Sequence, residues 1–185
     1  IAQCLVGSEM CIRDRYKAMM YEIEGVGACK VYRVTRDEKR IKIYFLDSTY
    51  NTPNKTLVAD VQEIIDPVGK QGEGEGQATI FHIVDIYPCA SETVKIEATI
   101  TIDTGYEWED LLPSVQEKID EYFLELAKEW ENESYITVRI LKVSAAIASV
   151  EGIIDVQDTA LNNAEENLLL DPNAIPVRGV IVCRP

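Results

Sequence analysis

Gly72-Glu73-Gly74-Glu75-Gly76-Gln77-Ala78 decides how the rest of this chain is read. Glycine loses backbone entropy when ordered, and neighbouring carboxylates repel one another and favour water, so alternating Gly and Glu builds no core. The stretch reads as an exposed, mobile loop dividing a helical pattern from a strand pattern. Upstream, Leu57, Val58, Val61, Ile64 and Ile65 recur at helical spacing before Asp66-Pro67, with Thr52-Pro53 placed to start that helix. Downstream, Thr79-Ile80-Phe81 through Tyr87 reads as a strand. An acidic cation-binding module using Glu73 and Glu75 is the functional alternative for the loop. Hard cations, however, need more oxygen ligands in fixed geometry than two mobile side chains supply.

Working outward, Tyr16 to Ile23 reads as the end of a helix closed by Gly25 and Gly27. Lys30 to Val34 and Ile41 to Leu46 read as strands, with Arg36-Asp37-Glu38-Lys39 as a polar hairpin loop between them. With the strand ending at Tyr87 they complete a β-β-α-β module over residues 16–90. A second module, 91–185, opens with a strand in which Val94, Ile96, Ala98, Ile100 and Ile102 alternate with polar residues. Trp108, Leu111, Leu112, Val115, Ile119, Tyr122, Phe123, Leu126, Ala127 and Trp130 then mark one face of a long helix. Pro113 predicts a kink, or a short turn before a helix that starts there. Ile140, Val143, Ile147 and Val150 predict a shorter helix ending at Gly152, and Ile153 to Leu161 and Val177 to Val182 read as strands. The fold class is therefore α+β, in two small modules that meet near Cys89 to Glu92. Ile23-Glu24-Gly25-Val26 and Val150-Glu151-Gly152-Ile153 share one pattern, a thin sign of duplication.

An apolar fraction of 46% with 27% charged residues suits globular packing. No apolar run approaches a membrane span. The formal charge of -14 repels phosphate backbones, which argues against nucleic acid as a direct partner and makes basic protein surfaces the natural complement. Cys29, Cys89 and Cys183 are scattered and form no Cys-x-x-Cys pair, so they read as buried, reduced thiols.

The search for chemistry returns little. His82 is the single histidine and reads as structural, with Asp85 on the opposite strand face. An enzyme pairing Cys89 or Cys29 with His82 is the catalytic alternative, but the sequence offers no activating environment. The carboxylate groups Glu73/Glu75, Glu107/Glu109/Asp110 and Glu165/Glu166 read as solvated faces, since nothing outlines a cleft between them. No glycine pattern opens a phosphate-binding helix. We therefore assign no catalytic, cofactor-binding or metal residues, and expect a protein whose surfaces do the work.

Ile23-Glu24-Gly25-Val26-Gly27-Ala28-Cys29-Lys30-Val31-Tyr32, followed by the Gly72 to Ala78 loop and then a long amphipathic helix, resembles the phage baseplate J-like family. The resemblance covers Tyr16 to Pro185 and departs at Gln71, where the family usually carries Asp. It implies the C-terminal part of a structural subunit of a contractile-tail baseplate wedge, without catalysis or cofactor. The implied partners are other wedge subunits and copies of itself, in a virion tail assembled in the bacterial host cytoplasm, with no membrane and no nucleic acid. A subunit of a phage-derived contractile injection apparatus is the neighbouring alternative.

Met10-Cys11-Ile12-Arg13-Asp14 reads like a translation of the transposon mosaic-end adaptor used in sequencing libraries (ATG TGT ATA AGA GAC). Ile1 to Arg15 is on that reading an unstructured artefact with little contact to the fold, and the remainder a fragment of a longer protein.

Overall fold

The computed structural model describes residues 9–33 and 39–184, and the chain divides into two compact units, Ile1–Cys89 and Ala90–Pro185. The first unit runs α1 (Glu9–Tyr21), β1 (Val26–Arg33), β2 (Arg40–Asp47), α2 (Lys55–Ile65), β3 (Ile83–Pro88). Its sheet has the order β1-β2-β3, with β1 antiparallel and β3 parallel to the central β2. A parallel neighbour needs a crossover, and α2 supplies it. Alternation along β2 from Ile41 to Phe45 sends Ile41, Ile43 and Phe45 to one face, where they meet Tyr16 and Met20 of α1, Val61 and Ile65 of α2, and Val84 and Ile86 of β3 in a single apolar cluster.

Several local expectations are corrected. Thr52-Pro53 does not start α2: the cap is Asn54, whose Oδ1 accepts the Leu57 N–H at 2.8 Å. Ile64 is 40% exposed and lies off the buried face. β3 begins at Ile83 rather than Thr79, because Phe81 takes φ +70°, a left-handed conformation that breaks a regular strand. His82 is thereby outside the strand. α1 starts at Glu9, so Glu9 to Arg15 is helical rather than unstructured, and Ile12 packs against the core cluster. Residues 1–8, and all of the predicted hairpin loop except Lys39, lie outside the described residues.

The second unit runs β4 (Ala90–Ile102), α3 (Trp108–Glu129), β5 (Thr137–Val138), α4 (Ile140–Ala148), β6 (Ile153–Leu161), β7 (Leu168–Leu169), β8 (Ala174–Arg184). Its main sheet has the order β6-β4-β8, β6 antiparallel and β8 parallel to the central β4, and β5 pairs with β7. Val94, Ile96, Ala98 and Ile100 form the buried face of β4. α3 lies against β8, α4 against β6, and the helices against each other. α3 buries Leu111, Val115, Ile119, Phe123 and Ala127 at spacings of four, and Trp130 closes the row with its Nε1–H on the Pro172 carbonyl at 3.2 Å. Pro113 neither ends nor delays α3, which starts at Trp108 and runs through it. The one helical hydrogen bond it removes, to the Glu109 carbonyl, is on the exposed side.

The repeated apolar-Glu-Gly-apolar pattern is one turn used twice. Gly25 has φ +94° and Gly152 φ +96°. Each turn is closed by a pair of matching bonds, Ile23 N–H to Met20 O with Val26 N–H to Ile23 O, and Val150 N–H to Ile147 O with Ile153 N–H to Val150 O. The sheets around the two turns are connected differently, so the turn recurs without the module.

Candidate interaction surface

The glycine loop is neither loose nor a linker. Gln77 and Ala78 donate their N–H groups to the Ile64 and Ile65 carbonyls, which would otherwise be orphaned at the end of α2. Phe81 N–H bonds the Gly72 carbonyl at 2.8 Å. The alternation of Gly with Glu has a direct cause. Gly72 and Gly74 hold φ near +80°, and a Cβ on Gly76 would stand 2.5 Å from the Ile65 carbonyl oxygen. The glycines face the body while Glu73, Glu75 and Gln77 project into water.

This fold of the loop closes the free edge of β3. Ile83 N–H bonds the Lys39 carbonyl, so Ile83, Asp85 and Tyr87 turn their backbone groups to β2, and Val84 and Ile86 turn theirs away. Those outward groups are met by side chains. Asp66 Oδ2 accepts Val84 N–H at 2.8 Å, Gln62 Oε1 accepts Ile86 N–H at 2.9 Å, and the Val84 carbonyl accepts Gln62 Nε2 at 2.9 Å and Gln71 Nε2 at 3.0 Å. Asp66, with no exposed surface, also accepts Gly72 N–H at 3.1 Å. Three side chains thus stand in for a fourth strand, a form of edge protection that prevents unwanted pairing. Nothing in the motif reading anticipated it; the available signal was an Asp placed directly after the buried Ile65.

On the second sheet, β6 is guarded by exposed Asp155 and Asp158 and by an irregularity where Asp158 takes φ +49°. Both outer strands also expose apolar side chains, Ile154 (63%) on β6 and Val177 (40%) and Val180 (66%) on β8. The acidity is also uneven. Residues 90–185 hold 19 acidic and 7 basic side chains, net -12, whereas residues 1–89 hold 13 and 11, net -2. Exposed Glu117, Glu121, Glu125 and Glu129 repeat every four residues along α3, where like charges repel. Of these four, Glu121 is paired, with Lys118 at 2.8 Å.

His82 Nδ1 lies 2.9 Å from the Tyr16 hydroxyl. Cys29 and Cys89 have no exposed surface, and burial pushes the Cys183 thiol up to about 11. Asp85 pairs with Arg40 at 2.9 Å. Glu109 and Asp110 occupy the first turn of α3, where its N-terminal dipole favours them. Glu75 pairs with Lys70 at 2.7 Å, both side chains about half exposed. No group of three or more potential metal ligands occurs among the described residues. Replacing Glu73 and Glu75 together by Gln is expected to leave the melting temperature essentially unchanged, because a solvent-screened ion pair contributes little. Calorimetric titration of the unaltered chain with calcium or zinc should show no stoichiometric site. Sub-micromolar binding lost in the double variant would restore the cation-site reading.

Residues 13–88 match the family described as "Baseplate J-like central domain" and residues 94–183 the one described as "Baseplate J-like protein C-terminal domain". The phage-like element PBSX protein XkdT of Bacillus subtilis (strain 168) is 25% identical over 166 residues, covering 90% of this chain and 46% of that protein. The uncharacterized protein YqbT of the same organism is 26% identical over 169 residues, covering 91% and 47%. This chain thus spans about half the length of the curated relatives it matches. The cryo-EM structure of the anti-feeding prophage baseplate, 6-fold symmetrised, contains a chain of similar fold, with a TM-score of 0.52 at 6% identity over 90% of this chain and 37% of that one.

Proposed function

The chain belongs to the baseplate J-like family, and from that premise we propose that it forms the C-terminal part of a structural subunit of a phage or prophage contractile-tail baseplate wedge. The observation that carries the reading is one of order: two family domains follow each other over 13–88 and 94–183, one in each of the units 1–89 and 90–185. Function on this reading is assembly, not turnover. Its partners are other wedge subunits and copies of itself, and its place is the virion tail, assembled in the host cytoplasm. A subunit of a contractile injection apparatus is the same architecture in another particle, and the genes flanking the parent distinguish the two.

The net charge of -12 on the second unit gives the partner surfaces a sign. Opposite charge speeds encounter and is screened by salt, so association with basic neighbours is expected to slow about tenfold or more between 0.05 and 0.5 M salt. The test is to co-express the full-length parent with its neighbouring tail genes, purify the product and image it. Incorporation into a wedge complex or particle is expected, with no turnover dependent on His82 or Cys89. A parent that never enters such a complex, yet loses a measurable activity on His82→Ala, would sink the assignment.

A further inference from the structure

We propose that Tyr16 and His82 form an acid-sensitive latch, in which the neutral imidazole fastens α1 to the segment leading from the glycine loop into β3 and its protonation unfastens it. Tyr16 has no exposed surface. Its hydroxyl oxygen accepts the Thr79 N–H at 3.4 Å and lies 2.9 Å from His82 Nδ1. With the Thr79 backbone and side chain both bonded to this hydroxyl, the phenolic proton points at Nδ1, which accepts it when Nδ1 carries no proton and the ring hydrogen is on Nε2. Protonation at Nδ1 turns an acceptor into a donor. Two N–H groups then face one oxygen, and the phenolic proton loses the imidazole as its acceptor.

The surroundings favour the neutral ring. Burial lowers the His82 pKa first, and Lys39, Arg15 and Arg33 lower it further. Tyr16 is itself held protonated, because burial raises its pKa by more than the Thr79 bonds and Arg15 lower it, with the charge of Asp66 adding the least. Among the described residues these are the charged groups that act on the pair, from α1, from β1, from the residue before β2 and from the end of α2. With the folded-state value below the unfolded value of about 6.5, the unfolded chain binds the extra proton first. The latch's contribution is complete above that pH and is lost as pH falls through the folded-state value. Phe81, next to His82, is 69% exposed and held at φ +70°. Local strain of this kind gives the unfastened segment a conformation to relax towards.

His82 is the only histidine, so its titration is read without overlap in nitrogen-labelled protein. At pH 7.5 the ring should be the Nε2–H tautomer, and its midpoint should fall below 6.5. Tyr16→Phe should move that midpoint upward. Between pH 7.5 and 5, after correction for intrinsic exchange, protection of the Thr79 amide should drop about fivefold or more, the net worth of one hydrogen bond. His82→Asn, whose amide oxygen replaces Nδ1 as a permanent acceptor, should abolish that drop while keeping the protection seen at pH 7.5. An Nδ1–H tautomer, a midpoint at or above 6.5, an unmoved midpoint in Tyr16→Phe, or the same pH dependence in His82→Asn would each overturn the latch.

Discussion

Asp66→Ala is expected to destabilise the first unit by about 3–4 kcal/mol, because it strands two backbone donors, each costing about 1–3 kcal/mol when left unpaired away from water. The donors are Val84 N–H, fully buried, and Gly72 N–H, partly so. On the scale of a 60–100-residue domain this is a drop of roughly 15–25 °C in Tm. Asp66→Asn keeps one acceptor oxygen but points an amide donor at the other N–H, so it should cost about half as much. The alanine variant also reopens the outer edge of β3, and soluble aggregates should rise with protein concentration. Calorimetry and light scattering on the three proteins read both effects. If alanine costs under about 1 kcal/mol, water substitutes for the carboxylate, and the three-side-chain cover of β3 is dispensable.

That cover shows where the sequence stopped being legible. The long elements were readable because each is buried on one side along its whole length. The spacing of four from Leu111 to Ala127 identifies α3, and the alternation from Val94 to Ile100 identifies β4. Gln62, Asp66 and Gln71 carry no such signal. They act on Val84 and Ile86, 13 to 24 residues away in sequence, and only the packing of α2 beside β3 makes them partners. The start of β3 was missed for the converse reason. Phe81 has high strand propensity, and the tertiary turn that forces it to a positive φ overrides that preference. β5 and β7, two residues each, are too short for any period to declare itself.

The surface was half legible. Net charge was read from the whole chain as -14, while its concentration in residues 90–185 follows from counting each half separately. The strand edges are not equivalent. β3 is covered by side chains, β6 is guarded by aspartates, and β8 keeps exposed Val177 and Val180. Assembly through an edge would therefore be restricted to particular strands, which is how a sheet protein avoids pairing with everything else.

Gly27→Ala and Gly76→Ala are each expected to cost about 3 kcal/mol or more, because the added methyl meets backbone, which cannot rotate aside. At Gly76 it would lie 2.5 Å from the Ile65 carbonyl oxygen and 2.8 Å from its carbon; at Gly27 it would strike the Asp47 carbonyl oxygen, at the register shift between β1 and β2. Both glycines end a motif in which an earlier glycine, Gly25 or Gly72, takes a positive φ. The two motifs therefore share one logic: a left-handed residue turns the chain, and a second glycine lets two backbones touch. Gly69 provides the control. It has φ +87° but nothing within 4 Å of an added Cβ, so Gly69→Ala should cost only the left-handed penalty of about 1–2 kcal/mol. Urea melts on the three variants separate the causes, since each should shift the midpoint with an unchanged slope. Losses at Gly27 and Gly76 no larger than that at Gly69 would mean that the facing backbone shifts to admit the methyl and that close approach does not select these glycines.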